Sequence, residues 1–281
     1  MICAHGVVRA MIEKACPPTA KRLTLGVNHP RAATALGSPE ATASGFFLLM
    51  RIRFIVDGFN LYHSVKAAEK HLDVAPLRWL DLRALCQTIV QSSFGPGHTL
   101  EGVHYFSALA KHLEAKKPDV VRRHRTFIAA LESTGVEVTL ANFKRKDRTN
   151  NLSEMRVQIA PWRRWFTVPT KRVRVSYRTH EEKETDVAIA CKLLEVLCQG
   201  RCDAAMLMTG DTDIAPAIRT AKLLYPAAEI GVAFPFKRHN RDLERLVTRH
   251  VKISAQLYQR HQFAASFTTA GGKMLTKPAT W

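Results

Sequence analysis

The sequence lacks the features of a membrane-spanning or disulfide-stabilised protein. Its apolar runs, such as the GFFLLM segment ending at Met50, are far too short to cross a bilayer. Its six cysteines contain no paired CxxC framework, so we expect reduced thiols in a soluble, cytoplasmic protein with no membrane partner. No cysteine stands between positions 87 and 190, so a structural zinc site is not expected in that stretch.

Acidic residues are scarce relative to basic ones. The chain of 281 residues has 24 Asp and Glu against 42 Lys and Arg, which gives a formal net charge of +18. A surplus of this size concentrates polyanions, so nucleic acid is the expected partner. A generically basic surface, or attraction to anionic membranes, is the alternative reading of the charge alone.

Composition divides the chain into three parts. Residues 1–49 show no sustained period of 2 or 3.6, and we expect a disordered segment or a spurious extension, with translation starting at Met50. A transit peptide is the competing interpretation, although the prolines and the lack of an Arg-rich amphipathic helix weigh against it. Residues 50–256 are long enough for one domain. Residues 257–281 contain Gly-Gly, Thr and Pro without a period, which predicts a flexible tail.

Within this domain, predicted strands and helices alternate. The strands are expected at 52–56, 101–108, 136–143, 204–209 and 228–234, and the helices at 61–70, 81–92, 118–133, 186–199, 213–224 and 241–249. Alternation of this kind predicts an α/β fold whose mainly parallel sheet carries helices on both faces. Ligands of such sheets bind at the carboxyl ends of the strands.

Four acidic residues fall at these predicted edges. Asp57 follows the first strand, Asp211 and Asp213 follow the strand at 204–208, and Asp186 begins a helix. Each also has a local explanation as a turn residue or helix cap. Four carboxylates at one edge would repel one another and raise each other's pKa, and a hard divalent cation such as Mg²⁺ or Mn²⁺ would neutralise them.

Three motifs carry a family resemblance. The stretches FIVDGFNLYHS, EEKETDVAIACKLL and AAMLMTGDTDIAPAIRTAK, in this order, resemble the NYN domain, a branch of the PIN-like (FLAP-nuclease-like) metal-dependent nucleases. The resemblance extends roughly from Arg51 to Ser254. It implies a PIN-like three-layer α/β/α sandwich with a mainly parallel central sheet.

The resemblance also assigns roles to individual residues. It implies that Asp57, Asp186, Asp211 and Asp213 are catalytic carboxylates that bind Mg²⁺ or Mn²⁺, and that Asn60 orients ligand or substrate. Thr209 and Thr212 match small hydroxyl positions that contact a phosphate or a metal-bound water. The implied activity is a metal-dependent ribonuclease that hydrolyses RNA phosphodiester bonds. A homodimer is compatible with it, because dimers are common among related folds.

A basic and aromatic insertion precedes Asp186. Between residues 144 and 178, basic residues interleave with four aromatic residues, Trp162, Trp165, Phe166 and Tyr177. Cations for phosphates and rings for unstacked bases are typical of single-stranded RNA binding. The alternation at 172–177 predicts one strand of an exposed hairpin. The predicted phosphate-binding residues are Arg163, Arg164, Lys171, Arg172 and Arg174, together with Lys237 and Arg238 beside a later strand end. A solvated basic hairpin, and a plain basic helix start near Lys237, are the alternatives.

Two other functions fit part of this pattern. A PIN-like module could bind RNA or a protein without cleaving anything. A haloacid-dehalogenase type of Mg²⁺-dependent phosphatase also has an Asp after its first strand, but its chemistry needs a second acid two residues later. Phe59 stands at that position here, which disfavours the phosphatase.

Overall fold

A seven-stranded sheet forms the centre of the protein. The structure is a computed structural model, and it describes residues 49–151, 174–279 and 281. Met50–Trp281 form one compact unit. The strands of the sheet are β1 (Arg51–Asp57), β2 (Thr99–Ala108), β3 (Val136–Asn151), β4 (Arg174–Lys183), β5 (Ala204–Met208), β6 (Glu229–Phe234) and β7 (Arg249–Lys252). Their order is β4-β3-β2-β1-β5-β6-β7, and every neighbouring pair is parallel except β3 and β4.

Helices cover both faces of this sheet. They are α1 (Gly58–Leu72), α2 (Leu82–Ser93), α3 (Asp119–Ser133), α4 (Thr185–Cys198), α5 (Ala215–Leu224), α6 (Arg241–Leu246) and α7 (Ala255–Arg260). Short 3₁₀ turns lie at Lys111–Leu113 and Thr212–Ile214. Alternate residues of β1 divide between two cores, with Phe54 packing under α1 to α3 and α7, and Ile55 under α4 to α6. The predicted three-layer α/β/α sandwich is confirmed.

Local chemistry fixes where α1 and α2 begin. The Asp57 and Asp81 carboxylates each accept a hydrogen bond from a backbone N–H three residues on, at 3.0 Å, and so cap the two helices. A Cβ atom on Gly58 would overlap the carbonyl oxygen of Phe106. Only glycine therefore lets α1 start this close to β2.

Two segments differ from the sequence-based expectation near the end of the chain. The helix expected at 241–249 stops at Leu246, and residues 249–252 instead form β7 on the edge of β6. The Arg249 guanidinium lies over the Phe94 ring and pairs with Glu229, so tertiary contacts override the local helical pattern.

The segment expected to be a flexible tail also has regular structure. It contains most of α7 and a small antiparallel hairpin, β8 (Ser266–Thr268) with β9 (Met274–Thr276). The buried Trp79 donates its indole N–H to the Ala264 carbonyl oxygen at 2.8 Å, and its ring packs against Phe263 and Phe267. Scattered aromatic residues without a period had given no sign of this packing.

Three described cysteines, Cys86, Cys191 and Cys202, are free thiols, and Cys86 and Cys202 are buried. Within the described ranges, no helix has the length and apolar character needed to span a membrane.

Candidate active site

The predicted acidic edge lies at the point where the strand order reverses. From β1 the sheet continues through β2 and β3 on one side and through β5, β6 and β7 on the other. Val56 of β1 is in register with Met208 of β5, so Asp57, the last residue of β1, lies level with Thr209, which follows β5. Crevices at such switch points are where open α/β sheets bind ligands.

Asp57 is held rigidly in this crevice. It is 6% exposed, and its Oδ1 accepts the Asn60 N–H at 3.0 Å while its Oδ2 accepts the Thr209 hydroxyl at 3.0 Å. Burial raises the pKa of Asp57, and the charge of Asp211 adds to that rise, against the lowering effect of the hydrogen bonds. The carboxylate is therefore positioned but costly to keep ionised.

The loop after β5 is tied to the start of α1. Asn60 Oδ1 accepts the Gly210 N–H at 3.2 Å, and Thr209 Oγ1 accepts the Asp211 N–H at 3.1 Å. A Cβ atom on Gly210 would overlap the carbonyl oxygen of Arg238, so this loop also packs directly on the loop after β6. Asn60 thus acts on the loop that carries Asp211, a contact across 150 residues of sequence.

The other three carboxylates are exposed around Asp57. Asp211 caps the 3₁₀ turn through its Oδ1, which accepts the Asp213 N–H at 3.1 Å, and Asp186 lies in the first turn of α4. Partial burial raises the pKa of Asp186, and the charges of the other three carboxylates raise it further. The structure therefore brings the four predicted acids into one electrostatically coupled group.

The remaining predicted binding residues have different outcomes. Thr212 is exposed in the 3₁₀ turn beside Asp211. Lys237 and Arg238 follow β6, with the Lys237 ammonium 5.3 Å from the centre of the Phe236 ring and the Arg238 backbone against Gly210. Arg174 begins β4. Four residues lie outside the described part of the chain: Arg163, Arg164, Lys171 and Arg172.

The predicted hairpin is present as a long two-stranded arm. β3 pairs with β2 only from Val136 to Ala141, and its residues 142–151 pair instead with β4 at 174–183. The arm projects past the carboxyl edge and returns directly to α4, through Glu184 in a left-handed conformation (φ 81°). A strained turn of this type beside Asp186 is typical of functional loops.

Two further side chains position the site and were missed by sequence reasoning. Ser64 donates its hydroxyl to the Phe236 carbonyl oxygen at 2.9 Å and bonds to the Tyr258 hydroxyl at 2.8 Å. Tyr258 also accepts the Phe236 N–H at 3.2 Å, so α1 and α7 together hold the loop that contains Lys237 and Arg238. One signal was available, because Ser64 interrupts the otherwise apolar stripe of α1.

The chemistry of the donor set suits a hard divalent cation, but the ligands are not preassembled. Carboxylate oxygens are the preferred ligands of Mg²⁺ and Mn²⁺. Among the residues that the structure describes, no group of three or more His, Cys, Asp or Glu side chains is arranged to hold a metal ion. Asp57 and Asp211 direct oxygen atoms at nearby N–H and O–H groups instead.

Comparison with known proteins identifies the family of the chain. The NYN domain family matches residues 51–254, which include all four carboxylates and the arm. The chain belongs to the NYN domain family. The chain is 24% identical over 249 residues to the 6-hydroxy-3-succinoylpyridine 3-monooxygenase HspA of Pseudomonas putida (strain DSM 28022 / S16), and the match covers 83% of this chain and 75% of the Pseudomonas protein. The monooxygenase activity belongs to the Pseudomonas protein.

One solved structure also resembles the chain. It is a protein of unknown function, VPA0982 from Vibrio parahaemolyticus RIMD 2210633, and the match covers 73% of this chain and 94% of that protein, at 14% identity and a TM-score of 0.42.

Proposed function

We propose that this NYN domain is a metal-dependent ribonuclease that hydrolyses RNA phosphodiester bonds. The basic arm binds the RNA, and the carboxylates at the acidic edge carry out the cleavage. The observation that supports the proposal best is the carboxylate group at the β1–β5 switch point. Asp57 is buried there, and none of the described cationic residues forms an ion pair with it. Nuclease fold and RNA-related function are the general character of the NYN family to which the chain belongs.

In this proposal Asp57, Asp186, Asp211 and Asp213 bind Mg²⁺ or Mn²⁺. Such an ion would neutralise charge at the scissile phosphate and would lower the pKa of the attacking water. Asp57 is already fixed by Asn60 and Thr209, while the other three side chains are exposed and can turn toward it. No histidine or lysine is needed as a general base, and in-line attack leaves a 5′-phosphate and a 3′-hydroxyl.

The arm supplies the electrostatic part of RNA binding. Lys146 and Arg148 are exposed on β3, within a hairpin that starts and ends at the acidic edge. Cations in such a place would hold the phosphate backbone while the carboxylates hold the ion. RNA affinity should then fall with salt at a slope of about 0.7 per phosphate contacted, and a salt-independent affinity would contradict this role of the arm. A cytoplasmic location is also part of the proposal, in keeping with the three free thiols.

The deciding experiment is cleavage of end-labelled single-stranded RNA with Mg²⁺, Mn²⁺ or EDTA. The test variant is Asp211→Asn, and the matched control is Asp203→Asn at the opposite end of β5, where the carboxylate pairs with Arg51. We expect ion-dependent cutting in the wild type and in Asp203→Asn, and none in Asp211→Asn, with RNA binding retained by all three. Tight binding without cutting in any of them would favour a non-catalytic RNA-binding module.

A further inference from the structure

A cavity on the other face of the sheet lies directly behind the acidic edge. It has a volume of about 340 Å³ and is lined by α1, the end of β2, α3, Phe143 and Trp281. Its lining begins at Gly58 and Phe59, the two residues that follow Asp57. Ser107 and Ala108 line it where β2 ends, one strand away from Asp57. The cavity and the carboxylates therefore share the ends of β1 and β2.

Aromatic rings form much of the cavity wall. Phe59 and His112 both pack edge-on against Phe143, with ring centroids 5.9 Å and 4.7 Å away. On the opposite side, Trp281 packs against Phe127 at 5.7 Å. Phe143 belongs to β3 at the base of the arm, so the aromatic wall continues into the predicted RNA-binding hairpin. Rings in this arrangement can stack on a planar ligand or contact it edge-on.

Several polar side chains line the wall, among them Arg78, Arg123, His112 and His124. The hydroxyl of the buried Ser107 lies 3.4 Å from His124 Nε2, and burial lowers the pKa of His124 to about 4. A neutral imidazole has one donor and one acceptor, which match the edge of a heterocycle. Arg78, which also lines the cavity, is paired with Glu69 at 3.0 Å. The cavity thus combines stacking surfaces with a small polar edge, as is typical of sites for planar ligands.

We propose that this cavity binds a planar heteroaromatic ring. The ring is either a base of the polynucleotide whose backbone crosses the acidic edge or a free heteroaromatic small molecule. The first source rests on the proposed ribonuclease function, whereas the second does not. A base held two residues from Asp57 would fix the register of the RNA and so select the bond that is cut.

The test measures binding in EDTA, so that it does not depend on cleavage. Uridine, adenosine and 2-hydroxypyridine serve as free rings, with ribose and inorganic phosphate as negative controls, and binding is measured by saturation-transfer NMR and calorimetry. Ala110→Phe fills the cavity, and Ala115→Phe adds the same side chain to an exposed position in the same connection. We expect at least one free ring to bind the wild type and Ala115→Phe, and to bind Ala110→Phe about ten-fold more weakly or worse.

Single-stranded RNA with one abasic site, moved along the strand, distinguishes the two sources. If a base of the RNA fills the cavity, one abasic position should weaken binding to the wild type by about ten-fold and have no effect in Ala110→Phe. Free rings that bind without any abasic effect would assign the cavity to small molecules. If no ring binds, or if all three proteins bind rings equally, the proposal is overturned. Circular dichroism checks the fold of Ala110→Phe, and Trp281→Ala, which removes part of the wall, provides a second variant.

Discussion

Two charged residues on the same face of β1 have opposite surroundings. Arg53 and Asp57 both face α4, with Ile55 between them. The side chain of Arg53 is 9% exposed, and it contacts Glu137 at 3.4 Å, Glu101 at 3.9 Å and His104 Nε2 at 2.9 Å. Asp57 is as deeply buried, but among the described residues its carboxylate accepts hydrogen bonds only from N–H and O–H groups, and the charge of Asp211 raises its pKa.

This difference separates a structural charge from a functional one. A buried charge is tolerated when opposite charges and hydrogen bonds surround it, as they do at the Nη atoms of Arg53. At Asp57 the hydrogen bonds hold the carboxylate in place without cancelling its charge, and like charges surround it. An arrangement that costs stability and lies in a crevice is a candidate for ligand binding.

The largest expected effect is on catalysis, at Asp57, whose charge has no opposite charge beside it among the described residues. Asp57→Asn should reduce metal-dependent RNA cleavage by about 100-fold or more, because a carboxylate that holds the ion is lost. The unfolding midpoint should stay the same or rise, since Asn can still cap α1 and the buried charge is removed. Single-turnover cleavage and thermal unfolding of the same samples measure both quantities. If Asp57→Asn loses stability and activity in parallel, Asp57 has a structural role like that of Arg53, which would contradict the distinction.

The second effect is stabilisation by the ion itself. Mg²⁺ or Mn²⁺ at roughly 100 times its dissociation constant should stabilise the wild type by about 2.7 kcal/mol, because only the folded protein presents the four carboxylates together. The gain should disappear in Asp57→Asn with Asp186→Asn. Thermal unfolding with each ion and with EDTA measures it. Equal stabilisation of the double variant would mean that the ion acts elsewhere.

The third effect is on stability, at Arg53, whose charge is paired with carboxylates. Glu137→Ala should destabilise the fold by about 1–2 kcal/mol, because it leaves Arg53 and His104 without their nearest carboxylate. The value is below that of a fully buried pair, since the Glu137 side chain is 56% exposed. RNA cleavage per folded molecule should not change. Glu101→Ala, which removes only the 3.9 Å contact, is the milder control in the same denaturant titrations.

The sequence alone predicted the surroundings of Asp57 better than those of Arg53. The acids at the carboxyl edge stand beside apolar strands at recognisable positions, so their convergence followed from the parallel sheet. The partners of Arg53 come from β2 and β3 through register, which no local pattern encodes. The pairing of β7 with β6 is likewise a long-range feature, and long-range contacts hold Ser64, Trp79 and Tyr258 in place. Local periodicity predicts elements, whereas these features depend on pairs of residues far apart in sequence.

The smallest expected effect is a difference in pH dependence between the two ends. The folded pKa of Asp57 is raised above its ordinary 3.8, so the associated stability is fully present below 3.8 and is lost as pH rises through the raised pKa. The pKa of His104 is lowered below 6.5, chiefly by burial, so its contribution is present above 6.5 and is lost as pH falls through the lowered pKa. In EDTA, the free energy of unfolding of Asp57→Asn should therefore increase relative to that of the wild type as pH rises from acid toward neutral. The free energy of unfolding of His104→Gln should instead increase relative to the wild type as pH falls below 6.5. Urea titrations across this range measure both differences, and parallel curves for all three proteins would show that the two charges have equivalent surroundings.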